Sequence, residues 1–120
     1  MIRLVLCLLA APLVPACAQP QVAVPPQLAA AVDAARSDAA KRSGWPPDRL
    51  DLISAEQVTW ADGSLGCPRV GVLYTPAQLP GWRVQLRVAG EVWDYHGGER
   101  GPPVFCPPGR SRPPLPNSRD

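Results

Sequence analysis

Between Trp82 and His96 the residue pattern leaves little freedom in how the chain can fold. Trp82, Val84, Leu86 and Val88 are apolar and are separated by Arg83, Gln85 and Arg87, the period of two expected of a half-buried strand. Ala89-Gly90 comes next, followed by a second candidate strand, Glu91 to His96. A two-residue turn at Ala89-Gly90 sets Val88 opposite Glu91, Leu86 opposite Trp93, and Val84 opposite Tyr95. Trp82, Val84, Leu86, Trp93 and Tyr95 then share a core face. Arg83, Gln85, Arg87, Val92, Asp94 and His96 point the other way. A longer turn would change that register, and the sequence leaves both open.

The rest of the folded region is arranged around this hairpin. From Gln27 to Ser43, Leu28, Ala31, Val32, Ala35 and Ala39 recur every three or four residues, which makes one apolar stripe on a helix. Pro25 and Pro26 suit its start, Gly44 suits its end, and Asp38 can pair with Lys41 or Arg42. After Trp45-Pro46-Pro47-Asp48, the segment Leu50–Trp60 reads as a strand whose imperfect alternation predicts a bulge. Asp62-Gly63 opens a glycine-rich loop that runs to Pro68. Val70 to Thr75 reads as a short strand, Gly97 to Pro103 as loop, and Val104-Phe105-Cys106 as a return to the fold. The expected class is α+β: one N-terminal helix packed on a small antiparallel sheet of three or four strands. Pro107–Asp120 carries five prolines and three arginines, a composition that predicts a disordered tail.

The beginning of the chain points to a compartment. Met1-Ile2-Arg3 is followed by an apolar run from Leu4 to Ala11, the layout of a signal peptide and too short to span a membrane. Two processing readings stay open: cleavage after Ala18, or lipidation of Cys17 in the stretch Val14-Pro15-Ala16-Cys17. The expected organisation is a signal peptide at 1–18, a proline-rich spacer at 19–26, a domain at 27–106 and a tail at 107–120. Export leaves Cys67 and Cys106 as a pair in an oxidising compartment, and so predicts one disulfide. A domain this small often needs such a staple. The net charge of +2 makes no case for a nucleic-acid partner.

The stretch Trp60-Ala61-Asp62-Gly63-Ser64-Leu65-Gly66-Cys67-Pro68 is followed by Tyr74-Thr75, Pro80-Gly81-Trp82, Trp93-Asp94-Tyr95-His96 and Cys106. Over about residues 28 to 106 this resembles a group of small bacterial secreted and lipoprotein-like sequences of unassigned function. Val70-Gly71 and Pro76 depart from the group's pattern. The resemblance implies fold and compartment, and no activity.

The candidate chemistry is sparse. Ser64 could act as a nucleophile with His96 as base and Asp62 or Asp94 as orienting group, yet nothing in the spacing brings them together. The alternative is a tight turn in which Asp62 caps the backbone. Asp62, Ser64 and Leu65 could instead form a recognition loop pinned by the disulfide, with Leu65 as the anchor of a protease-inhibitor-like binder. One histidine and no paired-cysteine motif predict no metal site and no cofactor. His96 is expected at the surface or anchoring a loop. The reading that follows is a non-catalytic, monomeric structural or binding module of the cell envelope, periplasmic, extracellular or lipid-anchored. Its partner is an unidentified protein or envelope component, and it would touch a membrane only through a lipid at Cys17.

Overall fold

The computed structural model describes residues 10–13 and 22–116. Most of the signal segment, Cys17, the first part of the spacer and residues 117–120 lie outside the described residues. Among the described residues no helix is long and apolar enough to cross a membrane.

A 3₁₀ turn over Pro26–Leu28 leads into helix α1, Ala29–Ser43, which ends on Gly44 in the left-handed conformation at φ 77°. The Gly44 N–H donates to the Ala40 carbonyl at 2.9 Å, giving the helix end an acceptor-satisfying cap. The chain then forms β1 (Asp51–Trp60), β2 (Leu79–Val88), β3 (Glu91–Gly98) and β4 (Val104–Cys106). All neighbours pair antiparallel in the order β1-β2-β3-β4, so the fold is α+β with a four-stranded meander. The bulge expected in β1 lies between Leu52 and Ser54. The hairpin register is the one the alternation specifies: Val88 faces Glu91, Leu86 faces Trp93 and Val84 faces Tyr95. Ala89 and Gly90 have φ of 49° and 83°, the pair of positive values that a tight hairpin turn matched to strand twist requires.

The apolar stripe of α1 packs on one face of the sheet. Val32, Ala35 and Ala39 meet Leu50, Val84, Leu86, Val88 and Tyr95 in the core, with Trp82, Trp93 and Phe105 packed around them. Alanines on the helix allow a close approach, and the aromatic rings of the sheet supply the volume. Tyr95 is buried, but its hydroxyl donates to Asp38 Oδ2 at 2.8 Å, and the same carboxylate oxygen accepts from Arg42 Nε at 2.6 Å. Cys67 and Cys106 are bonded, with Cα atoms 5.7 Å apart.

Three readings are corrected. Val70–Thr75 is an ordered turn and not a strand, because its alternate residues have no sheet edge to cover and Val70 and Leu73 stand fully in solvent. β3 continues through Gly97-Gly98 instead of ending at His96. The described part of the tail, 107–116, is docked: Arg112 N–H donates to the Gly66 carbonyl at 2.7 Å and Leu115 N–H to the Thr59 carbonyl at 3.0 Å. Prolines exclude helix and central strand there, but they also lower the entropy lost when an extended segment is fixed.

Candidate functional site

The face of the sheet turned away from α1 was expected to be solvent-exposed, and at its β4 end it is covered. Trp60, at the end of β1, folds back over the strands and is fully buried. Its Nε1–H donates to the Gly97 carbonyl at 2.9 Å, and its indole stacks on the His96 ring with centroids 4.5 Å apart. Gly81 makes room for it, since a Cβ there would collide with the indole and with the Gly97 carbonyl. On the opposite face Gly97 does the same for Trp82, whose ring lies across it.

The loop after Trp60 is tied down at several points. The Asp62 carboxylate accepts the Ser64 N–H at 2.8 Å, and Leu65 N–H and Cys67 N–H donate to the carbonyls of Asp62 and Ser64. Bonds from the Ser64 hydroxyl and backbone hold the Asp62 carboxyl below its usual range. Gly63 N–H reaches across to the Thr75 carbonyl at 2.9 Å. Leu65 takes the left-handed conformation at φ 55°. This turns its carbonyl onto His96 Nδ1, 2.6 Å away, and its side chain is partly buried over Gly98. A carbonyl only accepts, so His96 Nδ1 carries a proton and donates it. His96 therefore anchors a loop, as one sequence reading had it, but from full burial and not from the surface.

Asp94 is the centre of the polar cluster. Its Oδ1 accepts from Arg83 Nε at 3.0 Å, and its Oδ2 accepts from Arg83 Nη2 at 2.8 Å and from the Ser111 hydroxyl at 2.6 Å. His96 Nε2 lies 3.0 Å from the same Oδ2, an ion pair whenever the ring is charged. Burial alone would push the Asp94 carboxyl up. The bonds from His96, Arg83 and Ser111 more than reverse that and hold it well below the usual carboxylate range. The reading of Asp94 and His96 as outward residues is corrected here, since both are buried.

Ser111, Asp94 and His96 have the residue types of a nucleophile, an orienting acid and a base, but the connections run differently. A working base would use a free Nε2 to take the hydroxyl proton. Here Nε2 faces the Asp94 carboxylate, while Ser111 gives its proton to Asp94 and stands 3.4 Å from the ring. The His96 nitrogen facing the loop bonds the Leu65 carbonyl and not the Ser64 hydroxyl. The arrangement can clamp three segments together: the loop, the hairpin and the segment after Cys106. Ser111 carried no sequence signal, because nothing in a proline- and arginine-rich stretch marks one serine as a buried donor.

Residues 32–106 match the profile of a family described as Domain of unknown function (DUF8738). The chain belongs to the DUF8738 family. The matched region begins inside α1 and closes on the second disulfide cysteine, so it holds the sheet, the loop and the core. The docked segment 107–116 adds a strap to this DUF8738 domain. No curated protein and no solved structure matches the chain. Two surface features of the DUF8738 domain lie outside the cluster. One is an open groove of about 590 Å³ between α1 and the strand ends, bordered by Gln27, Ala31, Gln57, Trp82 and Glu99. The other is the turn over residues 69–74. Among the described residues no group of His, Cys, Asp and Glu side chains could hold a metal ion.

Proposed function

We propose that this DUF8738 protein is an exported bacterial envelope domain that acts as a non-catalytic structural or binding module. The observation that carries the reading is the inward use of its reactive-looking groups. Asp94, His96 and Ser111 spend their hydrogen bonds on one another, on Arg83 and on the Leu65 carbonyl, which is the economy of a clasp. Leu65 is held at its carbonyl and packed over Gly98, which weighs against a projecting inhibitor loop built on Asp62, Ser64 and Leu65. The disulfide supports an oxidising compartment.

The test combines localisation with chemistry. The mature protein is recovered from envelope and cytoplasmic fractions, its intact mass is measured, and a serine-reactive fluorophosphonate is applied. A mass for Gln19–Asp120, or for a diacylated chain starting at Cys17, with no labelled serine, supports the reading and chooses between the soluble and anchored forms. A chain beginning at Met1 in the cytoplasm with two alkylatable thiols refutes export, and a label on Ser64 or Ser111 refutes the non-catalytic part.

A further inference from the structure

We propose that the turn over residues 69–73, with Arg110 and Arg112 beside it, is a docking surface for an anionic phospholipid membrane. The turn is built and not slack. Val72 N–H donates to the Arg69 carbonyl at 3.2 Å, Gly71 takes φ 79°, and Arg69 N–H donates to the Tyr74 hydroxyl at 3.1 Å. The loop base is fixed by the disulfide at Cys67 and by the bond from Gly63 to Thr75. On this frame Val70 is 106 % exposed, Leu73 98 % and Val72 48 %. Three aliphatic side chains held in water on an ordered turn call for a partner, whereas singly scattered ones do not.

Within the two stretches of chain that form the turn and the strap, every charged residue is basic. No acidic residue occurs between Asp62 and Glu91, nor between Glu99 and Asp120. Those two stretches supply the turn and the strap, which lies against the residues just before the turn through Arg112 N–H on the Gly66 carbonyl and Arg110 Nη2 3.8 Å from Cys67 Sγ. Arg69 and Arg112 are exposed. A partner protein or a second copy would need roughly 800 Å² of matching surface on each side, far more than one turn offers. A bilayer surface admits a small aliphatic tip and draws cations to its headgroups, and each cation near an anionic surface changes partitioning by roughly fivefold. The aliphatic tip lies outside the clasp, while Arg110 and Arg112 flank Ser111 on the strap, and the proposal depends on the envelope reading only for which membrane the domain meets in the cell.

The test uses the full chain with vesicles of phosphatidylglycerol and phosphatidylethanolamine, against vesicles of phosphatidylcholine, read by co-sedimentation and by amide hydrogen exchange. Exchange localises the contact, so binding through the N-terminal segment or an acyl chain is told apart. The expected result is slower exchange over 69–74 on the anionic vesicles only, weakened by salt. Val70→Ser with Leu73→Ser should lower the protection-linked partitioning by more than about tenfold, as for two buried aliphatic side chains. Arg69→Gln and Arg112→Gln should each lower it roughly fivefold, and Val92→Ser, on the exposed part of β3, should leave it unchanged. The serine variants change side chains that touch solvent, so equal urea midpoints confirm that they fold. Unchanged exchange over 69–74, equal protection on phosphatidylcholine, or protection that survives the double serine variant overturns the proposal. Concentration-dependent protection of the same amides without lipid assigns the surface to a second copy and overturns it equally.

Discussion

Ser111→Ala removes one hydroxyl and tests whether the strap belongs to the fold. The Ser111 hydroxyl donates to Asp94 Oδ2 at 2.6 Å, a charge-assisted bond in a partly buried site, and such bonds contribute about 1.5–3 kcal/mol. Asp94 keeps Arg83 Nε and Arg83 Nη2 as donors, so its charge is not orphaned and the lower half of that range applies. The expected loss is about 1.5–2 kcal/mol in urea unfolding at neutral pH, with an unchanged dependence on denaturant. A second readout separates a local bond from a seated strap. Exchange of the Arg112 and Leu115 amides, which bond Gly66 and Thr59, should quicken with that of the 62–67 loop, while amides of β2 and β3 slow and fast together with global unfolding. In a double-mutant cycle with Asp94→Asn the two losses should fall short of additive. A Ser111→Ala protein with the parent's midpoint to within about 0.3 kcal/mol, and unaltered exchange at Arg112 and Leu115, would refute the docked strap.

The Cys67–Cys106 bond closes a separation of 39 residues; its removal as Cys67→Ser with Cys106→Ser should cost about 4 kcal/mol on the chain-entropy account, and thiol labelling of the unreduced, denatured parent should find neither cysteine. Trp93→Ala should cost about 2–4 kcal/mol by urea unfolding, less than a fully buried aromatic, because Trp93 is half-buried against the core and tilts on Phe105 at 4.9 Å. Asp94 has its folded carboxyl held below the unfolded value of about 4. Its contribution is therefore present above about pH 4 and disappears as pH falls through the folded value, so Asp94→Asn should flatten the acid limb of the stability curve. Tyr95 runs the other way: burial, then its bond to Asp38, raises the phenol above its usual range. Its contribution persists below about pH 10 and is lost as pH rises through the folded value, and Tyr95→Phe should weaken that alkaline loss in the same unfolding series.

The helix, its glycine cap, the hairpin register and the bulge in β1 were legible because each rests on local periodicity or on a residue whose backbone freedom is distinctive. The cysteine pairing followed from there being two such residues in the domain. What escaped was the second buried face. Arg83, Asp94 and His96 read as an outward row because alternation reports polarity, and a polar row buried under a strap has the same pattern as one facing water. Trp60, Gly81 and Gly97-Gly98 were the available hint: a large ring at a strand end, and strand glycines flat enough to receive rings. Ser111 depends on a contact with residues 15 and 17 positions away, and no short-range pattern carries it. The turn at 70–73 misled for a related reason. Its aliphatic residues satisfy strand propensity, and propensity does not say whether a neighbouring strand exists to pair with them.

The position of the strap along the chain has a consequence for timing. A chain made or moved N-terminus first releases Arg83, Asp94 and His96 before Ser111 follows, so the cluster stands open to water until Ser111 arrives. The hairpin and the helix can form earlier, because their contacts lie within residues that have already emerged. The closure over Trp60 and the 62–67 loop waits for residues 107–116, which follow β4. The helix and every strand precede residues 107–116 in the chain, so this segment works as a latch fitted after the parts it holds.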